Sequence, residues 1–472
     1  MQPVKRNYNR LSPSAMRVLI YSYNYYPEPI GIAPLMTELA EGLVKRGHEV
    51  RVITAMPNYP QREIYEQYRG KLYETEERNG VTIQRSYVLV KPKPTLLDRI
   101  LLDGSFVLTS FFQAIRGWRP DLILLTVPPL PVCAPAALLG WLYNCPIVLN
   151  VQDILPEAAI HMGLIKNKPL IWLLKAIEKF AYRTAHTISV IAEGFVENLV
   201  DKGVPREKIT CIPNWVDTNF ICPLPKDDNA FRRAHNLEGK FVILYSGNIA
   251  LTQGLETVIE AAAQLRDVPD IVFVIVGESK ALEALKDYCQ TFRAENVVLL
   301  PFQPREKLPE MLAAADVGLI VQKQNVVSFN MPSKTQVLLA SGRPVIASVP
   351  HSGSAAKAIE KSRGGVVVEP ENPAALAEQI LELHKNPEQA ELLGKQGRQY
   401  ALERYSFEQA LNQYEALFYQ VKKSSTPIDP FSAEVADFAS LSIPLYGQPR
   451  GTQNLVRIQA KSRRQTKTER TQ

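Results

Sequence analysis

The sequence predicts an α/β protein made of two Rossmann-like, doubly wound domains. Each half of the chain starts with a short β-branched run, passes through a glycine-containing loop into an amphipathic helix, and returns to a second apolar run. The first half reads MRVLIYSY (16–23), a loop with Gly31, MTELAEGLVKRG, then HEVRVIT (48–54). The second half reads FVILYSG (241–247), NIALTQGLETVIEAAAQL, then IVFVIVG (271–277). A chain of 472 residues is also too long for one ordinary core, which favours two domains.

The composition is that of a globular protein. Hydrophobic residues make up 46% and charged residues 22% of the chain, so most of it can bury a core. The net charge of +6 does not by itself predict a nucleic-acid partner, and we expect none. The cysteines are odd in number and form no CxxC pair, which indicates reduced thiols. They are Cys133, Cys145, Cys211, Cys222 and Cys289. The first fifteen residues contain no apolar run typical of a signal peptide, so we expect a cytoplasmic protein.

One uncharged stretch, residues 122–152, is long enough to cross a bilayer. Prolines interrupt it repeatedly, and proline breaks helices. The order LILLTV, proline-rich loop, APAALLGWLY and PIVLNV instead predicts strand, loop, helix and strand, because buried parallel strands read as continuous apolar runs. We therefore expect a packed core here. A peripheral contact with the inner face of the plasma membrane stays open.

The composition also suggests where the domains begin and end. We predict a flexible lead-in over 1–15 and a first domain over 16–214. A polar, proline-containing linker follows, and then a second domain over 229–404. A last helix covers 405–423, and a polar, basic, disordered tail covers 424–472. Contact of this tail with an anionic membrane is an alternative to its being a dispensable solvated tail.

The segment NMPSKTQVLLASGRPVIA (330–347) is the most specific stretch of the chain. Pro332 suits the first turn of a helix, which puts Ser333 and Lys334 at the helix N-terminus. Gly342 ends the helix, and a buried strand follows. A hydroxyl and a lysine beside free backbone amides, at a cleft that faces solvent, suit a phosphate or diphosphate. An ordinary capped helix is the alternative interpretation.

This segment resembles the nucleotide-sugar-binding segment of glycosyltransferase family 4, which has the GT-B fold of two domains facing across a cleft. The strings S-G-N-I, Q-G-L, D-I-L-P-E and I-P-N-W-V-D are similar to those of the bacterial transferases that build O-antigen and colanic-acid-type polysaccharides. The resemblance implies transfer of a sugar from a nucleotide-diphosphate sugar to a glycan or polyprenyl-diphosphate-linked acceptor, with retention of configuration. It implies no cofactor and no metal. The six histidines accordingly show no ligand spacing.

The resemblance also assigns site residues. It implies that Ser333 and Lys334 bind the donor diphosphate, and that Asp153 and Glu157 are the catalytic pair. Asp153 follows a predicted strand, so capping the next helix is its alternative role. The remaining donor-binding candidates are Gly31, Gly247, Asn248, Gln253 and Lys280, with Lys323 as a weaker one.

The chain departs from the family pattern at several positions. Two glutamates of the wider family fall on Phe329 and Val337, and an Arg and a Lys fall on Asn248 and Gln253. A non-catalytic GT-B scaffold therefore stays open, as does a nucleotide-sugar 2-epimerase.

Two further groups of residues carry weaker predictions. The resemblance suggests an acceptor pocket with Tyr59, Tyr65 and Tyr68, although surface packing is the commoner role for any one of them. Ile171, Trp172 and Leu174 lie on an amphipathic helix that also carries Lys175, Lys179 and Arg183. Insertion into a lipid surface is one role for this helix. Core packing is the one we favour.

Overall fold

The computed structural model describes residues 15–424, apart from residues 30, 155–156, 158–165, 251 and 327–330. The first half of the described chain folds into an eight-stranded sheet of order β3-β4-β2-β1-β5-β6-β7-β8. Every neighbouring pair is parallel except the β3–β4 hairpin. The strands are β1 Arg17–Tyr21, β2 Glu49–Ala55, β3 Tyr73–Arg78, β4 Val81–Ser86, β5 Leu122–Val127, β6 Ile147–Val151, β7 Thr187–Val190 and β8 Ile209–Cys211.

Helices cover both faces of this first sheet. Successive strand residues point to opposite faces, so Leu19 and Tyr21 join one core while Val18 and Ile20 join the other. On the first of these faces lie α2 Leu96–Ala114, α3 Cys133–Tyr143, α4 Lys168–Thr184 and α5 Glu193–Asp201. On the second lie α1 Ala33–Lys45 and, from the far end of the described chain, the helix Phe407–Ser424. The arrangement is doubly wound.

The second half forms a six-stranded, all-parallel sheet of order β11-β10-β9-β12-β13-β14. Its strands are β9 Phe241–Ser246, β10 Ile271–Gly277, β11 Val297–Pro301, β12 Val317–Val321, β13 Val345–Ser348 and β14 Gly365–Val368. Its helices are α6 Ala230–Ala234, α7 Leu255–Gln264, α8 Ser279–Phe292, α9 Leu308–Ala313, α10 Lys334–Ala340, α11 Ser354–Ser362, α12 Pro373–Lys385 and α13 Pro387–Arg404. Helices again lie on both faces, which confirms the prediction of two Rossmann-like domains.

The helix α14 Phe407–Ser424 packs on the first sheet although it follows the second in sequence. Its Tyr414 and Phe418 are fully buried against α1 and the first sheet. The Tyr414 hydroxyl accepts a hydrogen bond from the Asn150 amide at 2.9 Å. Arg46, the C-cap residue of α1, donates a hydrogen bond to the Glu415 carboxylate at 2.6 Å. Residues 407–424 thus complete the core of the first sheet, while the predicted domain limits stay predictions.

The stretch 122–152 folds as β5, α3 and β6, as the prolines predict. Among the described residues, no helix combines the length and the apolar character needed to cross a membrane. All five cysteines are free.

Two details differ from the sequence prediction. Pro332 lies just before the helix it was expected to begin, because Ser333 is the N-cap and Lys334 the first helical residue. Trp172 on α4 is 43% exposed, whereas core packing was favoured for it; Ile171 and Leu174 are half-buried.

Candidate active site

A cleft of about 1380 Å³ lies between the two sheets. The carboxyl edge of the first sheet supplies one wall, where parallel α/β sheets commonly bind ligands. Tyr23 follows β1 there, and Gln152 and Asp153 follow β6. The second half of the chain supplies the other wall. That wall includes Arg305, Leu308, Met331, Ser333, Gln336 and Val337.

Lys334, next to this cleft, has a buried amine. Its Nζ lies 3.5 Å from the centroid of the Tyr245 ring, at the distance of a cation–π contact. No hydrogen-bond partner of the described chain reaches Nζ, which has no exposed surface although the residue as a whole is half-buried. Burial lowers the pKa of this amine to about 7. The sequence predicts this lysine at a solvent-facing cleft, and the structure shows that the Tyr245 ring and the Gly247 backbone cover its amine.

The loop after β9 surrounds the same lysine. Gly247 has φ +142°, and a Cβ atom there would lie 3.3 Å from both Cε and Nζ of Lys334. A side chain at this position would therefore crowd the amine. The Tyr245 hydroxyl donates to the Asn248 carbonyl at 2.8 Å and lies 3.4 Å from Gln253 Oε1. The structure thus brings Gly247, Asn248, Gln253 and Lys334 together around Tyr245.

The other donor-binding candidates are more dispersed. Gly31 (φ +71°) and the exposed Ser333 line the cleft. Lys280 is exposed near the start of α8 and does not line the cleft. Lys323 lies 3.8 Å from Glu256. The structure therefore does not gather Lys280 or Lys323 with the residues that line the cleft.

The two proposed catalytic acids lie in different surroundings. Asp153 is exposed to the cleft, yet the cleft walls desolvate its carboxyl enough to raise the pKa, against a lowering hydrogen bond from the Ile154 backbone. Glu157 does not line the cleft. Its carboxylate accepts from the Asn198 amide at 2.8 Å and pairs with Lys202 at 3.0 Å. The structure thus places Asp153 at the cleft. Glu157 instead contacts Asn198 of helix α5 and forms an ion pair with Lys202, the C-cap of that helix.

Two acids near the cleft were not predicted from the sequence. Asp103 on α2 lines it, and burial raises the pKa of this carboxyl to about 6. Its position as a single acid within the apolar run ILLDGSFV could have identified Asp103 from the sequence. Glu28 is 4% exposed, and burial raises its pKa. It accepts from the backbone N–H groups of Asn58 at 2.8 Å and Tyr59 at 2.9 Å.

Of the three tyrosines considered for the acceptor pocket, only Tyr59 lines the cleft. The Tyr65 hydroxyl donates to the Tyr59 carbonyl at 2.9 Å. Tyr68 is buried and donates to Glu76. Val337, at one family glutamate position, lines the cleft with an apolar side chain. Phe329, at the other, lies outside the described residues.

Family models match both halves of the chain. The model described as "Glycosyl transferase 4-like domain" matches residues 31–215, and "Glycosyl transferases group 1" matches residues 227–400. The chain is 36% identical over 412 residues to a putative colanic acid biosynthesis glycosyl transferase, WcaI, of Escherichia coli K12, covering 84% of this chain and 98% of that protein. The chain belongs to glycosyltransferase family 4. The enzyme class predicted from the sequence is thereby confirmed.

More distant proteins match the chain in sequence or in fold. The chain is 25% identical over 295 residues to the probable glycosyltransferase WbjE of Pseudomonas aeruginosa, covering 61% of this chain and 73% of that protein. The structure of Anabaena HepE in complex with UDP-glucose matches with a TM-score of 0.62 at 18% identity, over 86% of this chain and 99% of HepE. Sucrose-phosphate synthase from Thermosynechococcus elongatus matches with a TM-score of 0.64 at 18% identity, over 87% and 100%. The GT-B fold of this glycosyltransferase is confirmed.

Proposed function

We propose that this glycosyltransferase moves a sugar from a nucleotide-diphosphate sugar to a lipid-linked glycan, with retention of configuration, in polysaccharide assembly. The observation that carries the proposal is the buried, unpartnered amine of Lys334 beside the side-chain-free backbone of Gly247. A buried polar group without a partner costs stability and is a common mark of a functional site.

Donor chemistry explains this arrangement. Departure of the nucleotide leaves negative charge on the diphosphate, and a fixed cation stabilises it most where water is excluded. The flexible stem of Lys334 allows its amine to turn from the Tyr245 ring towards a phosphate oxygen. Ser333 lines the cleft next to this lysine and offers a hydroxyl to the same group. The UDP-glucose complex of the structural relative HepE supports a donor of this class.

The wall formed by the first sheet suits a sugar acceptor. Asp103 and Asp153 face the cleft as hydrogen-bond acceptors for sugar hydroxyls, and Tyr59 offers an aromatic face. Asp153 follows β6, the position that the family resemblance links to the donor sugar. The similarity to WcaI, a putative colanic acid biosynthesis enzyme, supports a polysaccharide product. We assign no catalytic role to Glu157, because its carboxylate is paired with Lys202.

The scaffold alternative has one specific observation in its favour, the apolar Val337 in the cleft wall where the wider family has an acid. A glutamate there usually binds the ribose of the donor, so a scaffold that has lost donor binding is the second candidate. The epimerase is less well supported, because no histidine is among the residues that line the described cleft.

A transfer assay tests the proposal. Purified protein is incubated with radiolabelled UDP-, GDP-, dTDP- and ADP-sugars and a lipid extract containing polyprenyl-diphosphate-linked glycans, and label in the organic phase is counted. We expect transfer from one nucleotide class, its loss in Lys334→Met, and normal transfer in Lys280→Met. Absence of transfer together with absence of nucleotide binding would favour the scaffold.

A further inference from the structure

Helix α2 exposes an apolar stripe where a surface helix normally presents polar groups. Leu97, Leu101, Leu108 and Phe112 are spaced by four, seven and four residues and lie on one side of the helix. All four are exposed, Leu108 by 64% and Phe112 by 55%. The inner side of α2 is already packed on the first sheet through Phe106 and Ala114. The stripe is therefore apolar surface beyond what the fold needs.

The neighbouring helices continue this surface. Helix α3 has no charged residue and exposes Leu138, Trp141 and Leu142. Helix α4 exposes Trp172 and Leu173. Helices α2, α3 and α4 pack side by side over the same face of the first sheet. Their outer sides together form what we call the apolar face. Exposed apolar patches of this extent mark a binding surface.

Among the described residues of α2, α3, α4 and their flanking turns, the exposed ionic side chains have one sign. These cations include Lys93, Arg99, Arg116, Arg119, Lys168 and Lys175. None of the acidic residues of these three helices is an exposed residue. Glu178 is buried, Asp103 is half-buried in the cleft wall, and Asp98 pairs with Lys91 at 2.7 Å within the capping box of α2.

We propose that the apolar face docks on a bilayer containing anionic phospholipid. Tryptophan and leucine side chains bury apolar area at the level of the headgroups, and the surrounding lysines and arginines contact lipid phosphates. A second copy of the chain fits less well. In a two-fold symmetric dimer the face would meet itself, which would bring cations of the two copies together.

The apolar face also continues into the cleft. Leu89, Arg99 and Ile100 near the start of α2, and Leu173 on α4, are exposed beside the face and line the cleft as well. A docked enzyme would therefore open its cleft at the bilayer surface, next to Asp103. This orientation rests on the proposed function, because a cleft that opens at the bilayer lets a lipid-linked glycan enter while its lipid stays in the membrane.

Vesicle flotation of the full chain tests the proposal. The probes are phosphatidylcholine vesicles and vesicles with roughly one third phosphatidylglycerol, chosen because anionic lipid attracts exposed cations. The variants are Leu108→Glu/Phe112→Glu, Lys168→Glu/Lys175→Glu and a matched control, Leu392→Glu. Leu392 is 55% exposed on α13, far in sequence from the apolar face. Melting curves show whether each variant folds.

We expect the wild type and Leu392→Glu to float with the anionic vesicles only. Both double variants should bind these vesicles at least about tenfold more weakly, since each removes apolar contacts or reverses two charges. Unchanged flotation of the double variants, or no flotation of the wild type, would overturn the proposal. So would a wild-type dimer that Leu108→Glu/Phe112→Glu converts to a monomer. Nucleotide-sugar binding, measured in parallel, should be equal in all variants, so its absence would count against the proposed function and not against docking.

Discussion

The amine of Lys334 lies 3.5 Å from the centroid of the Tyr245 ring, with the backbone of Gly247 alongside. Tyr245 is itself fixed, because its hydroxyl donates to the Asn248 carbonyl of the following loop. The ring faces a cation that has no anionic partner in the described chain. The charge of Lys334 therefore depends on whether an anionic ligand binds beside the Tyr245 ring.

The pH dependence of donor binding follows from this pair. The pKa of Lys334 is lowered to about 7 by burial, so the amine is protonated below pH 7 and increasingly neutral above it. A diphosphate binds the protonated form. We expect the donor Kd to be flat below pH 7 and to rise by about tenfold per pH unit above it, with proton uptake on binding. Calorimetry between pH 6 and 9 in two buffers of different ionisation enthalpy measures both.

Lys334→Met should abolish this pH dependence as well as most of the affinity. Lys280→Met is the matched control, because Lys280 is exposed and does not line the cleft. An unchanged pH profile in Lys334→Met would show that another group titrates.

Gly247→Ala should weaken donor binding. Its φ of +142° disfavours a side chain, and the new Cβ would lie 3.3 Å from the Lys334 amine. Gly239→Ala is the control, since Gly239 has φ +70° and a Cβ atom there would meet nothing within 4 Å. Both variants should lose about 1 kcal/mol or more of stability through backbone strain. Only Gly247→Ala should raise the donor Kd. An equal rise in both variants would show that the short distance between Gly247 and the Lys334 amine does not matter for donor binding.

Asp103→Asn should raise the stability of the folded protein and weaken its binding of the acceptor. The pKa of Asp103 is raised to about 6, so ionising this carboxyl destabilises the folded state as pH rises from about 4 to 6. The neutral amide removes that penalty, and the free energy of unfolding at pH 7 should rise by on the order of 1 kcal/mol. Acceptor KM should rise at the same time. Equal stability at pH 4 is the internal control, and no change in KM at pH 7 would exclude Asp103 from the acceptor site.

Glu28→Ala should weaken acceptor binding and leave donor binding unchanged. Glu28 accepts the backbone N–H groups of Asn58 and Tyr59 and the Asn24 amide, and all three partners line the cleft. Removing the carboxylate leaves buried donors unpaired, at about 1–3 kcal/mol each. Glu28→Gln keeps one acceptor oxygen and should recover part of the loss. A rise in acceptor KM with an unchanged donor Kd, measured for both variants, identifies Glu28 as a positioning residue; equal losses in both constants would indicate a general loss of structure.

Local sequence patterns were sufficient for the fold. The apolar runs at 17–21 and 241–246, each followed by a glycine-containing loop and a helix, became strands of two parallel sheets. The uncharged stretch 122–152 was resolved correctly because proline excludes a long helix.

The candidate site depended more on distant contacts. Lys334 was found from its own segment, but its burial comes from Tyr245, which lies far earlier in the chain. Glu157 was predicted to act beside Asp153, but the sequence does not show that Asn198 and Lys202, remote in the chain, hold its carboxylate. The exposed stripe on α2 was missed because an apolar helix looks the same in sequence whether its outer side meets protein or another surface.

The measurement that tests the central claim most directly is calorimetric titration of UDP-, GDP-, dTDP- and ADP-sugars into the wild type, Lys334→Met and Lys280→Met. We predict that one nucleotide class binds the wild type, that Lys334→Met weakens its binding by at least about tenfold, as expected for loss of a charge-assisted contact, and that Lys280→Met does not. Binding of that class with equal affinity to Lys334→Met, or binding of no class to the wild type, would contradict a donor diphosphate site at Lys334.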